Sequence, residues 1–309
     1  SPSRVNNMKF HVDDYFHIGA SHLTGGKPCQ DYSLSRKIQF YYACGIVSDG
    51  CSTGGHTDVG SRLIALSGLI TFSNGWHGGE SFGGKWNQES FRFNFESDCL
   101  KYLPSVIISR QSSYFNNLRQ SLDLEPKDML ATCVLSYINK FGAFTFVQGD
   151  GVVAIKYRDG SILMTRYDWA KNAPVYPCYS EDDLQHYITQ LHDGDASSAI
   201  MSISRAKTLD GKTFSSDNFA MSFEEAKCGV LTSFSVEQLQ DIEFIAVFSD
   251  GVCQVENVDW KDVVVRLLAF KNVTGEFVKR RMIRGIKEFH EVGKGPLDDI
   301  SCAVIRIEH

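Results

Sequence analysis

The sequence predicts an α+β protein in which antiparallel sheets are flanked by helices. Strand-like runs dominate the 309 residues, and each is short, rich in β-branched or aromatic residues, and bounded by Gly, Asp or Asn. Helical patterns are fewer, and they do not alternate strictly with the strands. A doubly wound parallel sheet requires that alternation, so the order of the elements favours antiparallel sheets.

The predicted elements follow one another along most of the chain. Strands are predicted at residues 10–20, 40–48, 131–138, 144–148, 152–157, 162–165, 244–248 and 301–307. The pair Asp159-Gly160 predicts a hairpin turn between two of them. Apolar residues at helical spacing predict helices at 58–72, 105–122, 181–191 and 275–292. The residues expected to form a buried stripe on the last helix are Phe277, Met282, Ile283, Ile286 and Phe289.

Two segments have the composition of insertions within a single domain. Residues 74–97 are rich in Gly and aromatic residues, whereas residues 196–226 are rich in Ser, Lys and Asp and are expected to be irregular. Neither has the composition of a linker, so we expect one domain over residues 8–309. Residues 1–7 are polar, and we interpret them as a tag remnant or a disordered lead.

Composition argues against several classes of partner. The net charge is −6, so neither a nucleic acid nor an anionic membrane surface is expected as the main partner. No apolar stretch approaches the ~20 residues that span a bilayer. The nine cysteines include no Cys-x-x-Cys pair, and several lie within apolar runs. We therefore expect a reducing, cytoplasmic compartment and no structural zinc.

Aspartates recur at the ends of the apolar strands. The tripeptide Ser-Asp-Gly follows two apolar runs and contains Asp49 in the first case and Asp250 in the second. The further aspartates at strand edges are Asp31, Asp150, Asp298 and Asp299. A ring of carboxylates suits a hard divalent ion such as Mg²⁺ or Mn²⁺. Asp-Gly is also a common turn dipeptide, so each junction taken alone is equally well explained as an ordinary turn.

The order of these motifs carries more information than any one of them. In sequence they are Gln30-Asp31, Ser48-Asp49-Gly50, Leu130-Ala131-Thr132, Gly149-Asp150, Ser249-Asp250-Gly251 and Asp298-Asp299-Ile300-Ser301. Over nearly the whole chain they resemble the metal-dependent serine/threonine phosphatases of the type 2C family, in the style of its bacterial branch. The resemblance implies a four-layer α-β-β-α sandwich of two antiparallel sheets with helices on the outer faces.

The resemblance also implies a metal centre of two Mn²⁺ or Mg²⁺ ions. Asp49 would bridge the ions, and the Gly50 carbonyl would bind one of them. Asp250 and Asp298 would hold the other. Two such ions can share a water and lower its pKa, and the resulting hydroxide then attacks phosphorus.

Further roles follow from the same resemblance. Asp31 would support the other ligands without contacting the ions directly, or would bind an ion through a water. Asp150 would contribute to a third, weaker metal site. The implied activity is that of a protein phosphatase acting on phosphoserine and phosphothreonine in signalling. The implied partners are a phosphorylated protein and a Ser/Thr kinase, and we expect a monomer.

Some positions depart from the family pattern and leave an alternative open. Gly26 stands where many members have an Arg that binds substrate phosphate, so Lys27 and His22 are weak candidates for that role. Cys51 stands where other members have a His, and Gln254 where some have an Asp. The alternative is a catalytically weak or inactive module that binds phosphoproteins in regulation. A cysteine phosphatase is not expected, because the sequence has no Cys-x5-Arg loop.

Overall fold

The computed structural model describes residues 8–38, 42–73 and 98–309. The predicted lead at 1–7 and the predicted insertion at 74–97 lie outside the described residues. Within them, two antiparallel sheets form, with the strand orders β1-β12-β11-β6-β7-β8-β9 and β10-β5-β4-β3-β2. The strands are β1 Lys9–His17, β2 Asp31–Ile38, β3 Tyr42–Asp49, β4 Cys133–Asn139, β5 Gly142–Gln148, β6 Gly151–Tyr157, β7 Ile162–Trp169, β8 Met201–Thr208, β9 Ser215–Met221, β10 Val230–Ser235, β11 Ile242–Phe248 and β12 Ile300–Glu308.

Helices flank the two sheets. The α-helices of the described ranges are α1 Ala20–Thr24, α2 Thr57–Ser73, α3 Leu103–Ser121, α4 Glu181–His186, α5 Phe223–Ala226, α6 Val236–Leu239, α7 Trp260–Leu267 and α8 Phe277–Glu291. A π-helical segment, Tyr187–Leu191, continues α4. Over the described ranges, no helix combines the length and the apolar character that crossing a membrane requires.

The central strands are buried on both faces. On β3, Ile46 packs towards α2 and α3, whereas the next residue, Val47, faces the other sheet. On β11, Ala246 packs towards α7 and α8, whereas Val247 faces the other sheet. Successive side chains of a strand point to opposite faces, so burial of both faces requires a continuous apolar run. Such apolar runs explain why the sequence predicts the central strands.

The layers follow from these contacts. Ile64 of α2 and Ile107 of α3 cover the outer face of the five-stranded sheet. Val264 of α7 and Ile286 of α8 cover the outer face of the seven-stranded sheet. The order helix, sheet, sheet, helix confirms the predicted α-β-β-α sandwich.

One member of the predicted stripe on α8 is not buried. Phe277, Met282, Ile286 and Phe289 are buried as expected, but Ile283 is 45% exposed. Consecutive residues of a helix are separated by about 100° of rotation, so Ile283 lies well round the helix from Met282. The prediction that Ile283 belongs to the stripe is therefore wrong.

The segment 196–226 is more regular than predicted. It contains β8 and β9, which form a hairpin and extend the seven-stranded sheet at its edge. Nearly the whole of β9 is exposed, and its sequence, SSDNFAM, has no apolar alternation. An edge strand exposed on both faces needs no such pattern, which is why irregular structure was wrongly expected there. Strand β10 and helix α7 were likewise not predicted.

Candidate metal centre

Five aspartates lie at one end of the sheets, where strands begin or finish. Asp31 opens β2 and Asp49 ends β3, and the two are paired across the antiparallel ladder. Asp150 lies in the turn between β5 and β6, Asp250 lies two residues after β11, and Asp298 lies two residues before β12. Antiparallel neighbours meet at their ends, so residues distant in sequence come together here.

Short contacts join the carboxylates. Asp49, Asp150 and Asp250 each offer a carboxylate oxygen, and these oxygens lie within 4.8 Å of one another. The Gln254 Nε2 donates to Asp298 Oδ2 at 3.1 Å and to Asp250 Oδ2 at 3.4 Å. The side chain of Gln254 therefore connects Asp298 to the other carboxylates.

One side of the cluster is buried, and the other side is open to solvent. Asp31 and Asp150 are buried, with exposed fractions of 2% and 5%. Asp49, Asp250 and Asp298 are partly exposed. A molecule approaching from solvent therefore reaches the three partly exposed carboxylates first.

Two oxygens of the cluster are suited to a cation. Asp31 Oδ1 and Asp250 Oδ1 are buried and have no hydrogen-bond donor within the described part of the chain. The second oxygen of Asp31 accepts the Ser301 hydroxyl at 2.7 Å. Buried polar atoms are nearly always paired, and Mg²⁺ and Mn²⁺ prefer carboxylate oxygens. The carboxylate oxygens of the cluster are therefore suitable ligands for divalent cations.

The cluster retains protons more strongly than isolated aspartates do. Burial raises the pKa of Asp31 to about 7. Burial also raises the pKa of Asp49, and the carboxylates of Asp31 and Asp250 add to the effect. The pKa values of Asp150 and Asp250 are raised by burial as well, with neighbouring carboxylates contributing. A cation would remove the repulsion that accompanies ionisation of these groups.

The strand end that carries Asp49 is held by Thr132. The Asp49 amide donates to Thr132 Oγ1 at 3.1 Å, and the Thr132 amide donates to the Asp49 carbonyl at 2.9 Å. The Ser48 hydroxyl donates to the Thr132 carbonyl at 2.6 Å. The motif Leu130-Ala131-Thr132 thus fixes the backbone on which Asp49 is mounted.

Gly50 lies where a side chain does not fit. Its amide donates to the Gln30 carbonyl at 2.9 Å. A β-carbon at this position would lie 2.6 Å from the Thr57 carbonyl oxygen. The requirement for Gly is therefore steric, and the role of the Gly50 carbonyl as a metal ligand stays a prediction.

The turn that carries Asp150 depends on two glycines. Gly149 has φ +92° and Gly151 has φ +145°, both in the region that other residues rarely adopt. A β-carbon on Gly151 would also lie 2.8 Å from the Phe248 carbonyl oxygen. The turn can therefore pack closely against β11 and keep Asp150 buried beside Asp250.

Asp298 and its neighbour Asp299 have different environments. Asp299 is buried and accepts three hydrogen bonds, from the Gly19 amide at 2.7 Å, the Gln30 amide at 2.7 Å and His22 Nδ1 at 2.8 Å. These bonds tie the segment around α1 to the start of β12. Of the two aspartates, Asp298 is the one that Gln254 joins to Asp250.

The two candidates for binding substrate phosphate lie near α1. His22 is buried, and its Nδ1 is used by Asp299, which leaves Nε2 for any ligand. Lys27 is exposed and has no ion-pair partner within the described ranges. The phosphate-binding role of both residues stays a prediction.

Sequence reasoning missed an ion pair beside the cluster. Arg166 and Asp168 lie near the end of β7, with 3.3 Å between Nη2 and Oδ2. The Asp168 charge contributes to the raised pKa of both Asp150 and Asp250. The predicted strand stopped at 165, but polar and apolar residues continue to alternate as Arg166-Tyr167-Asp168-Trp169. That alternation is the signal that could have found them.

A second missed residue is Tyr176. Burial raises the pKa of the Tyr176 phenol, and the Cys51 thiol and the carboxylates of Asp150 and Asp49 add to the effect. The phenol therefore lies beside the carboxylate cluster, on a segment without regular secondary structure. The periodicity of the sequence offers no signal for it.

Comparison with known proteins agrees with the fold. A family model described as Protein phosphatase 2C matches residues 18–282. No curated protein matches the chain. Among solved structures, serine/threonine phosphatase Stp1 from Staphylococcus aureus is 12% identical, with a TM-score of 0.52 and coverage of 97% of this chain and 96% of that chain. The S. agalactiae serine/threonine phosphatase is 16% identical, with a TM-score of 0.50 and coverage of 97% and 100%. At these identities the structural likeness shows the fold.

The family match extends over most of the 309 residues. Its range includes Asp31, Asp49, Asp150 and Asp250, and Asp298 follows it in the chain. The sheet architecture and the convergence of these strand-end aspartates agree with that match. The chain belongs to the protein phosphatase 2C family.

Proposed function

We propose that this chain is a phosphoprotein phosphatase that hydrolyses phosphoserine and phosphothreonine esters and depends on Mn²⁺ or Mg²⁺. One observation carries the proposal: Asp49, Asp150 and Asp250 offer carboxylate oxygens within 4.8 Å of one another at a partly open site, and Gln254 joins Asp250 to Asp298. The buried oxygens of Asp31 and Asp250 that lack a donor point to the same chemistry. Several carboxylates are costly to bury close together without a cation that offsets their charge.

The residues that would hold the metals follow from the family motifs. Asp49 and the Gly50 carbonyl would serve one ion, and Asp49, Asp250 and Asp298 the other. Asp150 would take part in a third site together with Asp250. When bound, the ions would supply Lewis acidity, which activates water for attack and offsets the charge on the phosphoryl oxygens.

The chain's own side chains prepare the site for that reaction. Ser301 donates to one oxygen of Asp31 and leaves the other free. Gln254 orients Asp250 and Asp298 without adding charge. Because Asp49, Asp250 and Asp298 are partly exposed, a phosphorylated side chain can approach them from solvent. None of these roles requires a protein nucleophile, so the cysteines need not take part.

The substrate would be a phosphorylated protein, and a Ser/Thr kinase would be the class of enzyme that supplies it. We also propose that residues 8–309 form one catalytic domain.

Hydrolysis of p-nitrophenyl phosphate and of a phosphothreonine peptide tests the proposal. We expect turnover with added Mn²⁺ or Mg²⁺, loss of turnover with EDTA, and a fall of at least ~10²-fold in kcat for Asp49→Asn. Asp182→Asn is the matched control, because Asp182 is exposed in the first turn of α4. It should keep full activity.

Full activity of Asp49→Asn, or activity that resists EDTA, would overturn the mechanism. No turnover with either substrate, combined with binding of the phosphopeptide, would instead identify a phosphoprotein-binding module on the same scaffold. Calorimetric titration of Mn²⁺ into the wild-type protein and Asp49→Asn separates loss of metal binding from loss of chemistry.

A further inference from the structure

A second site with pronounced charge lies on the outer helical layer. The loop that follows α7 and the first turns of α8 enclose a pocket of about 170 Å³. Among the described residues, no carboxylate lines this pocket. The four cationic side chains that line it are Lys271, Arg280, Arg281 and Arg284. The basic run on this helix plays no part in the proposed catalytic chemistry.

The positive charge around this pocket is poorly balanced. Glu288 is the carboxylate partner of three guanidinium groups, at 2.8 Å from Arg266, 3.4 Å from Arg281 and 3.5 Å from Arg284. Arg280 donates to the backbone carbonyls of Asn272 and Thr274. Across the described ranges, neither Arg280 nor Lys271 has a carboxylate partner. The pocket therefore holds an excess of positive charge.

Arg281 is the least exposed of the cationic side chains that line the pocket. Its side chain is only 10% exposed, and its buried Nε has no hydrogen-bond acceptor in the described part of the chain. Leaving a buried charged donor without an acceptor is unfavourable. Guanidinium groups match the geometry of phosphate oxygens, so the three arginines that line the pocket suit an anion of this class.

The apolar part of the pocket strengthens this attraction. Phe270 and Phe277 line it, with ring centroids 5.1 Å apart in an edge-to-face arrangement. Aromatic walls lower the local dielectric constant and so increase the energy of charge–charge contacts. Phe270 and Phe277 thus form one wall of the pocket, while Lys271, Arg280 and Arg284 are exposed to solvent.

The pocket is separate from the carboxylate cluster. Phe270 lies 5.0 Å from Phe244, measured between ring centroids, and Phe244 is near the start of β11. Asp250 follows the other end of that strand, six residues later. At about 3.3 Å per residue the two positions are roughly 20 Å apart. One phosphoryl group cannot contact both sites.

We propose that this pocket binds an oxyanion of the phosphate class. Its volume admits a phosphoryl group together with the start of the chain that carries it. The anion could be free phosphate or a phosphorylated residue of a protein, and the chemistry of recognition is the same. Occupancy of this pocket does not require the metal centre, so the proposal stands independently of the catalytic function.

Nuclear magnetic resonance of the ¹⁵N-labelled full chain in EDTA tests the proposal, with inorganic phosphate and a phosphoserine peptide as probes. Without metal, the proposed phosphatase activity does not consume the peptide. We expect saturable shifts of the amide signals of residues 270–284, separable from those of residues near Asp49. The double variant Lys271→Gln, Arg284→Gln should bind at these amides at least about tenfold more weakly. Both side chains are exposed, so the fold should persist.

Lys287→Gln is the matched control, because Lys287 is exposed on the same helix and does not line the pocket. It should bind as the wild type does. Lys271→Glu alone provides a second variant, in which the reversed charge should also weaken binding at these amides at least about tenfold. A peptide that binds more tightly than phosphate identifies a phosphorylated protein as the source, and equal affinity identifies the free anion. Absence of saturable shifts at 270–284, or equal shifts in the double variant, would overturn the proposal.

Discussion

The Gln254 amide donates to Asp298 across 3.1 Å between Nε2 and Oδ2. The same amide nitrogen lies 3.4 Å from Asp250 Oδ2. A neutral donor is therefore placed between two carboxylates that would otherwise repel each other. In other members of the family an Asp can stand at this position, so the amide lowers the local negative charge by one.

Replacing this amide with a carboxylate should make the protein depend more on metal. We expect Gln254→Glu to lower the free energy of unfolding in EDTA by about 1–3 kcal/mol, because a third carboxylate faces Asp250 and Asp298. Added Mg²⁺ should restore the loss. Melting temperatures with EDTA and with Mg²⁺ provide the measurement. Gln185→Glu, at an exposed position, is the control. An unchanged melting temperature in EDTA would contradict the assigned role of Gln254.

Asp299 should contribute to stability, whereas Asp298 should contribute to metal binding. Asp299→Asn removes the charged carboxylate that accepts hydrogen bonds from Gly19, Gln30 and His22. We therefore expect the free energy of unfolding, measured with urea, to fall by about 2–4 kcal/mol. Asp298→Asn in EDTA should leave the free energy of unfolding unchanged or raise it, since it removes repulsion near Asp250. Equal losses for both variants would show that the two aspartates do not divide their roles in this way.

Metal-free protein should become less stable as pH rises from about 4 to 7. The pKa of Asp31 is about 7 in the folded state and 3.8 is its ordinary value. Between these values the folded state holds a proton that the unfolded state has released, so ionisation favours unfolding. The loss should reach a few kcal/mol by pH 8. Urea unfolding in EDTA across this range measures it.

Two further measurements isolate the cause of that pH dependence. Asp31→Asn removes the titrating group, so its stability in EDTA should vary less with pH than that of the wild type. Saturating Mg²⁺ should oppose the loss, because a cation stabilises the ionised carboxylates. A metal-free protein whose stability rises between pH 5 and 8 would contradict this account.

Close packing at Gly251 should make that residue irreplaceable. A β-carbon there would lie 1.9 Å from the Asp299 carbonyl oxygen, so Gly251→Ala must displace the backbone beside Asp250. We expect a loss of about 3 kcal/mol or more, together with weaker Mn²⁺ binding by calorimetry. Gly160→Ala is the comparison: no atom lies within 4 Å of its β-carbon, and only its φ of +88° opposes the change. A smaller loss at Gly251 than at Gly160 would refute the packing argument.

The positions of the strand-end aspartates could be predicted because their signal is local. Asp49 and Asp250 each follow an apolar run long enough for a buried strand, and Asp-Gly marks its end. Their order relative to Asp31, Asp150 and Asp298 then indicated one family and one site. The structure brings these predicted residues together, while their individual metal-binding roles stay predictions.

Other features could not be predicted because their signal is not local. β9 is an exposed edge strand whose pairing with β8 replaces any apolar pattern. Ile283 matches the apolar character of its helix, yet it lies outside the face that packs on the sheet. The anion pocket requires the loop at 268–276 to meet α8, and no spacing in the sequence records that contact.

By itself, the sequence determined where the strand-end aspartates lie and which strands are buried on both faces, since both depend on residue type and short-range order. Only the tertiary structure shows how the surroundings of Asp298 and Asp299 differ. The two are adjacent and chemically identical, so their roles depend on what each one meets. Packing of the α1 segment supplies three donors to Asp299, and the turn after β11 brings Gln254 to Asp298. Such contacts join residues far apart in the chain, and only the folded arrangement of the two sheets creates them.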